Sequence, residues 1–398
     1  MLYLNKNQRS KEDFDKNWRY LLPRRTKFLV PGNDIKLLIN GEEFFPSLIE
    51  AIENARESIY LDFYRINDDR TGQFIGEILQ KKASHGIEVC IIYDAIGSFA
   101  SNEFFKWLSS SGVTTIPFNP LSLFRSRFGI NRRDHRKMAI IDGKTGFLGG
   151  LNIAEEYGDP KINWKGWRDT AVKVQGPVIS QMVKIFHDTW QKIGGTPIKH
   201  IANYIHSQHH KNTIHGGMKA SIVGTEKLWR RREAIRTYRK AIWNAKKSIK
   251  IQSAYFIPPY TMRLALRRAA MRGVNVKIIV PLHGDLILNH FASRRTFSSL
   301  LQAGVEIYEL PGPVMHSKTA VIDGVWSTIG SFNHNHRSFF HDMELNLLVI
   351  DESFGQEMEK VFREDLARSI PIDPRKWHNR PFIEKIFERF CYSLRHWL

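Results

Sequence analysis

Thiols are nearly absent: Cys90 and Cys391 are the only cysteines in 398 residues, and they stand far apart. That excludes a disulfide framework and a thiolate zinc site, and makes a reducing, cytosolic environment the expectation. Long apolar runs are missing as well. No stretch reaches the ~18 uninterrupted apolar residues of a spanning helix, and the opening Met1–Ser10 has no apolar core of a signal peptide. If the protein works on a membrane, it is expected to work from the surface. Acidic residues are in short supply: 40 Asp and Glu face 59 Lys and Arg, a formal net charge of +19. Such a field attracts polyanions, either nucleic acid or an anionic membrane, and charge alone does not choose between them. Histidines are plentiful between Gly194 and Gly217, where His200, His206, His209, His210 and His215 occur. No carboxylate or cysteine accompanies them, so this reads as a solvated loop, and no metal site is expected.

What the chain does have is one stretch written twice. His135-Arg136-Lys137 leads to Asp142 and then Gly149-Gly150-Leu151-Asn152; His316-Ser317-Lys318 leads to Asp323 and then Gly330-Ser331-Phe332-Asn333. Both read H-x-K-x4-D-x6-G-[GS]-x-N. A single H-x-K-x4-D is a weak signal, but two copies with identical inner spacing are a strong one.

The repeat extends beyond the motif. Ala51–Ile59 ends a helical pattern and runs into the strand-like Tyr60–Tyr64, as Ala241–Ile249 runs into Lys250–Phe256. Gly86 precedes the buried-type strand Ile87–Tyr93, and Gly273 precedes its twin Val274–Val280; Gly112 and Gly304 close further helices. Helices alternating with short β-rich strands mean α/β layers. The expected fold is therefore α/β, two lobes related by a pseudo-two-fold, each a mixed β-sheet flanked by helices, with the motifs facing each other at the seam. Residues 1–32 form a basic, aromatic lead-in, read as a surface segment with a membrane-facing rim as the alternative. The first lobe covers 33–193, a linker 194–217, the second lobe 218–370 and an amphipathic tail 371–398. In the tail, Phe382, Ile383, Ile386, Phe387, Phe390, Cys391, Leu394, Trp397 and Leu398 recur at helical spacing after Pro381. That helix could lie in a membrane interface or pack against the body. The first lobe also carries an insertion before its motif: Gly112 lies 23 residues before His135, whereas Gly304 lies 12 before His316, by subtraction of positions. The surplus, within 117–133, mixes Leu and Phe with arginines and suits a lipid headgroup interface or a phosphate chain.

On a strand, residues two apart share a face, so His135 and Lys137 point together, as do His316 and Lys318. Asp142 and Asp323, at odd separation from the histidines, are expected to support the site. Asn152 and Asn333 follow small residues that let backbone approach a ligand. Together the copies supply two imidazoles, two ammonium groups and two amides, a set whose target is a phosphodiester. Lysines and asparagines would neutralise and hydrogen-bond the non-bridging oxygens. One neutral histidine would attack phosphorus while the other protonates the leaving alkoxide, and the second would then deprotonate the incoming hydroxyl. No cofactor or metal is required. Each imidazole needs an acceptor on its second nitrogen. Asp169, downstream of the first motif, and Glu344, downstream of the second, are the candidates.

These motifs resemble the phospholipase D superfamily, whose HKD signature both copies spell, over nearly the whole chain. Asn131–Lys137, Gly149–Asn152 and Arg337-Ser338 are most similar to bacterial cardiolipin synthases of the short type without N-terminal transmembrane helices. One departure is Asn333–Ser338, where relatives often carry Asp-Pro before Arg-Ser. The resemblance implies transfer of a phosphatidyl group from phosphatidylglycerol to another phospholipid hydroxyl through a phosphohistidine, releasing glycerol, with His135 as nucleophile and His316 as general acid. It also implies an anionic phospholipid surface as partner and the cytoplasmic face of the bacterial inner membrane as location. A hydrolytic phospholipase D is the near alternative. A metal-independent nuclease of the same superfamily is the more distant one, and nucleic acid is the less favoured partner.

Overall fold

The computed structural model describes Trp18, Leu21, Leu22 and residues 29–98, 102–120, 131–201, 204 and 214–398. Most of the lead-in, the centre of the insertion and three linker histidines (His206, His209, His210) lie outside the described residues, so the readings made of them do too. The first half runs β1 (Val30–Ile39), α1 (Asn40–Glu53), β2 (Ser58–Phe63), α2 (Arg70–Ser84), β3 (Glu88–Asp94), α3 (Asn102–Ser109), β4 (Thr114–Phe118), β5 (Lys137–Ile141), β6 (Thr145–Gly149), β7 (Thr170–Gln175) and α4 (Ile179–Lys192). The second runs β8 (Met218–Gly224), α5 (Leu228–Asn244), β9 (Ser248–Ser253), α6 (Tyr260–Met271), β10 (Asn275–Pro281), α7 (Ile287–Leu301), β11 (Glu306–Leu310), β12 (Lys318–Ile322), β13 (Trp326–Gly330), α8 (His336–Phe340), β14 (Leu345–Ile350) and α9 (Glu352–Ala367). A short β15 (Ile370–Pro371), α10 (Pro374–His378) and α11 (Phe382–Ser393) follow.

The local chemistry explains these elements. Strands β2 and β5 are buried at every position and correspondingly rich in Ile, Met and aromatic residues, as strands covered on both faces must be. Helix α2 begins where the Asp69 carboxylate accepts the Thr71 and Gly72 N–H groups, satisfying donors that the first turn leaves orphaned. It ends before Gly86, whose φ of +84° has its twin at Gly273, φ +87°. A left-handed backbone there favours glycine and lets the chain turn directly into β3 or β10.

The strands form one sheet in the order β15-β11-β10-β9-β12-β13-β14-β8-β1-β7-β6-β5-β2-β3-β4. Read outward from the β8–β1 pair, the two halves match strand for strand, with β15 as the surplus. In each half the three outer strands are parallel (β2-β3-β4 and β9-β10-β11), and the motif strand, β5 or β12, joins them antiparallel. The two-lobe α/β expectation is met, with β1 and β8 joining the lobes antiparallel through Val30↔Ala220 and Asn33↔Met218. Three large cores follow. One is built from the first half, including Phe44, Leu61 and Phe147, and one mainly from the second, including Ile251, Phe297 and Trp326. The third crosses the seam, packing Leu37, Tyr60 and Phe186 with Ile222, Leu345 and Leu347. Apolar burial across the join, not a flexible tether, holds the lobes in register.

Candidate active site

The two motif strands enter the seam as twins. The His135 N–H donates to the Met343 carbonyl at 2.9 Å and the Met343 N–H to the Arg133 carbonyl at 2.9 Å. Correspondingly the His316 N–H donates to the Arg168 carbonyl at 2.7 Å and the Arg168 N–H to the Val314 carbonyl at 3.0 Å. Each histidine is thus stitched to the segment just before the other lobe's carboxylate. The consequence is a crossover that chain order did not disclose. Nδ1 of His135 lies 3.0 Å from Glu344 Oε2, and Nδ1 of His316 lies 2.8 Å from Asp169 Oδ2. The structure therefore brings Asp169 and Glu344 to the histidines, each on the one from the opposite lobe.

Both carboxylates are held from behind. Glu344 accepts the Ser331 and Ser338 hydroxyls at 2.5 Å each, and Asp169 accepts its neighbour's N–H, from Thr170, at 2.7 Å. Gly150 stands where the second motif has Ser331; a methyl group there would lie 2.2 Å from Asp169 Oδ1, so the first copy has room only for glycine. Lys137 Nζ donates to the His135 carbonyl at 2.6 Å and lies 5.0 Å from the centre of the Tyr64 ring, whose edge contacts His135. Lys318 Nζ donates to the His316 carbonyl and lies 2.8 Å from His316 Nδ1. Because Asp169 accepts only if Nδ1 carries the proton, the lysine's contact there is electrostatic proximity and not a second hydrogen bond to that nitrogen.

Burial sets the electrostatics. It pushes His135 well below the ordinary imidazole range, reinforced by Lys137 and Lys318. His316 is pushed down to about 4 by burial and by Lys318, with Asp169 opposing both. The same desolvation lowers Lys137 to about 7 and Lys318 to about 8, and raises Glu344 to about 7 against the pull of Lys137. A buried site that disfavours the charges of both lysines gains most when a phosphate arrives to neutralise them.

The remaining sequence-predicted residues divide. Asn152 is buried beside the site, but its amide N–H goes to the Tyr157 hydroxyl at 2.8 Å and its oxygen accepts the Arg65 N–H. The Tyr157 hydroxyl in turn lies 3.4 Å from His316 Nδ1. Asn333 is buried, and its Oδ1 has no hydrogen-bond partner among the described residues, an uncompensated desolvation. Asp142 and Asp323, the last residues of the H-x-K-x4-D signature, stand at the strand ends in supporting positions. Both occupy left-handed turns at the far ends of β5 and β12, with φ of +50° and +55°. Five residues of strand separate them from the lysines, about 16 Å. There Asp142 accepts the N–H groups of Arg56, Glu57 and Ser58 at 2.8–2.9 Å, and Asp323 those of Lys246, Lys247 and Ser248 at 2.7–2.9 Å. They fix where β2 and β9 begin.

Several contributors escaped sequence reasoning. Arg136 is wholly buried, bonded to Asp134 and to Thr189 of α4 and 3.0 Å from Asp62. Arg337 clamps Asp342 at 2.7 and 2.9 Å and reaches Asn131 across the seam at 2.8 Å. Tyr157, Trp167 and Tyr255 ring His316 at centroid distances of 5.3–6.2 Å. Only the Arg337-Ser338 dipeptide carried a sequence signal; the aromatic residues sit in irregular segments with no period to betray them.

Comparison with known proteins agrees with this geometry. The family model described as cardiolipin synthase, phospholipase D-like domain, matches residues 48–190 and 238–366. The chain is 34% identical over 366 residues to the probable cardiolipin synthase YwiE of Bacillus subtilis (strain 168), covering 90% of this chain and 71% of that protein. It is 33% identical over 362 residues to the cardiolipin synthase of Listeria monocytogenes serotype 4a (strain HCC23), covering 90% of this chain and 74% of that one. Among solved structures, the phosphatidylserine synthase of Haemophilus influenzae Rd KW20 has the same fold, with a TM-score of 0.70 at 16% identity over 99% of this chain and 100% of that one.

Proposed function

The chain belongs to the family built on the cardiolipin synthase phospholipase D-like domain, and from that premise we propose that it transfers a phosphatidyl group from phosphatidylglycerol to the hydroxyl of a second phospholipid, releasing glycerol. Its working units are the lobes 33–193 and 218–370, acting at an anionic phospholipid surface on the cytoplasmic face of a bacterial inner membrane. Among the described residues, no helix is long and apolar enough to cross a membrane.

The observation that carries the reading is the crossed pairing of each histidine with the opposite lobe's carboxylate. Glu344 on Nδ1 selects the tautomer of His135 whose lone pair is on Nε2, and burial with two neighbouring ammonium groups keeps that imidazole neutral. Nε2 attacks phosphorus, and the P–O bond to glycerol breaks. His316 acts as the imidazolium, which Asp169 on Nδ1 favours against the lowering by burial and Lys318, and it gives its Nε2 proton to the departing alkoxide. Lys137 and Lys318 neutralise the non-bridging oxygens as charge builds. In the second half, neutral His316 takes the proton of the acceptor hydroxyl, that oxygen attacks the phosphatidyl-His135, and the P–N bond breaks to restore the free enzyme. Asn152 acts by holding Tyr157 against His316, and Asn333 offers its amide to the substrate.

Purified protein incubated with phosphatidylglycerol vesicles is expected to form one diphosphatidylglycerol per glycerol released, and to lose both in His135→Ala. Phosphatidic acid as the only lipid product would make the protein a hydrolase. Absence of any lipid product, together with DNA cleavage in EDTA, would overturn the lipid reading.

A further inference from the structure

Helix α11 is built inside out. Glu388, 2% exposed, points into the body, where it pairs with Arg380 and lies 3.4 Å from Arg294, and Cys391 is buried beside it. Tyr392 and Leu398 pack with Cys391 on Ile257 and Ala292, but the larger apolar stripe points away. Phe382 and Ile383 are 77% and 78% exposed, and Ile386, Phe390 and Trp397 are at least half exposed. Phe387 has a ring neighbour on the body, Phe291 of α7 at 4.8 Å. An amphipathic helix that serves its own core turns its apolar stripe inward. Here the carboxylate has taken the inner position and is fully paired, so the outward stripe is not a packing remainder. A second exposed apolar group, Leu286, Ile287 and Leu288, opens α7, the helix on which α11 packs through Phe291–Phe387 and Arg294–Glu388, and together they expose apolar surface that water disfavours.

We propose that α11 and the first turn of α7 insert together into the interfacial layer of an anionic phospholipid bilayer. This rests on the phospholipid-substrate reading above and adds the surface by which the enzyme meets its substrate's phase. Three observations select a bilayer over a second copy of the chain. The side chains protrude from a convex helix instead of lining a groove, which suits penetration between headgroups. Exposed Arg389 and Arg295 flank the patch on a chain of charge +19, complementary to anionic lipid. The patch is also continuous with the catalytic seam. The Leu398 carbonyl accepts from Asn335 Nδ2 at 3.4 Å and the Trp397 carbonyl lies 3.5 Å from Arg337. On the other side Asp285, immediately before Leu286, accepts the Tyr255 hydroxyl at 2.6 Å, and Tyr255 rings His316. A lipid whose headgroup has reached the histidines would keep its acyl chains in the layer that α11 occupies.

The test uses the full chain, flotation with vesicles of phosphatidylglycerol and phosphatidylcholine, and turnover of dihexanoyl-phosphatidylglycerol below its micellar concentration. The double variant I383E/F390E, at exposed positions that the fold does not need, should reduce vesicle binding about tenfold or more while turning over the monomeric lipid within about twofold of wild type. I383W/F390W should bind vesicles at least as well as wild type. Unchanged flotation of I383E/F390E would overturn the proposal. So would conversion of a dimer to a monomer by that variant without loss of flotation, which would assign the face to a second copy. Wild-type protein that floats through α11 yet makes no product even from monomeric lipid would sustain this surface and sink the enzymatic reading alone.

Discussion

The two histidines occupy copies of one design, yet their surroundings are not equivalent. His135 has 13% of its side chain exposed and His316 4%. The longer Glu344 that serves His135 shares its oxygens with two serine hydroxyls, whereas Asp169 is held by one backbone N–H and pressed against Gly150. Burial and neighbouring cations lead the influences on His135 and disfavour its charge, and the same two causes lead at His316, where Asp169 and Asp285 pull the other way. Even the residue between His and Lys differs: Arg136 is locked into an acidic cluster, and Ser317 makes a small hydroxyl contact with Thr170 at 3.1 Å. In this duplicated site both imidazoles bear a carboxylate on Nδ1, but His135 is the more accessible and His316 the more enclosed. The proposed mechanism uses that difference, with His135 as nucleophile and His316 as acid.

The sharpest way to break this comparison is to remove each imidazole. His135→Ala and His316→Ala should each lower the transfer rate by about 10²–10⁴-fold or more. A p-nitrophenyl phosphodiester, whose leaving group needs no proton, should restore adduct formation in His316→Ala and not in His135→Ala. Mass spectrometry of the quenched protein would read this, and the reverse pattern would exchange the roles. Next in size, Glu344→Gln and Asp169→Asn should each cost about 10²-fold in kcat, with Asp169→Asn recovering on the activated ester and Glu344→Gln not. A third outcome concerns protons. Lys137 at about 7 and Lys318 at about 8 have fallen from 10.5, so above pH 7 the empty site progressively loses ammonium charge. A bound phosphate restores it. Calorimetry with a phosphonate lipid in buffers of different ionisation enthalpy should therefore show proton uptake at pH 8 and almost none at pH 6. The smallest effect tests sameness. Asp142→Asn and Asp323→Asn should each destabilise the protein by about 1–3 kcal/mol, seen as matched falls in Tm, with kcat nearly unchanged.

Much of the architecture was legible because periodicity and spacing are local properties. Twinned glycines and apolar runs marked equivalent strands, and two-residue spacing placed His and Lys on one face. What stayed hidden was long range or directional. Glu344 and His135 are 209 residues apart, and nothing in either lobe's pattern says that its carboxylate serves the other lobe. The odd spacing of the motif aspartates pointed to a supporting role, but not to its form, because the backbone donors they bind lie more than 70 residues upstream. Amphipathicity revealed that the tail helix has an apolar face but not which way it turns, since that depends on Glu388 finding Arg294 and Arg380.

The exchange of carboxylates across the seam makes activity a report on assembly. During synthesis the first lobe is complete before the second exists; at that stage His135 lacks its acceptor and Asp169 has no histidine to serve. On the proposed mechanism, a half-made chain near a membrane therefore holds no competent nucleophile and leaves the lipids around it intact. Chemistry begins only when β8 has closed on β1 and both halves have folded.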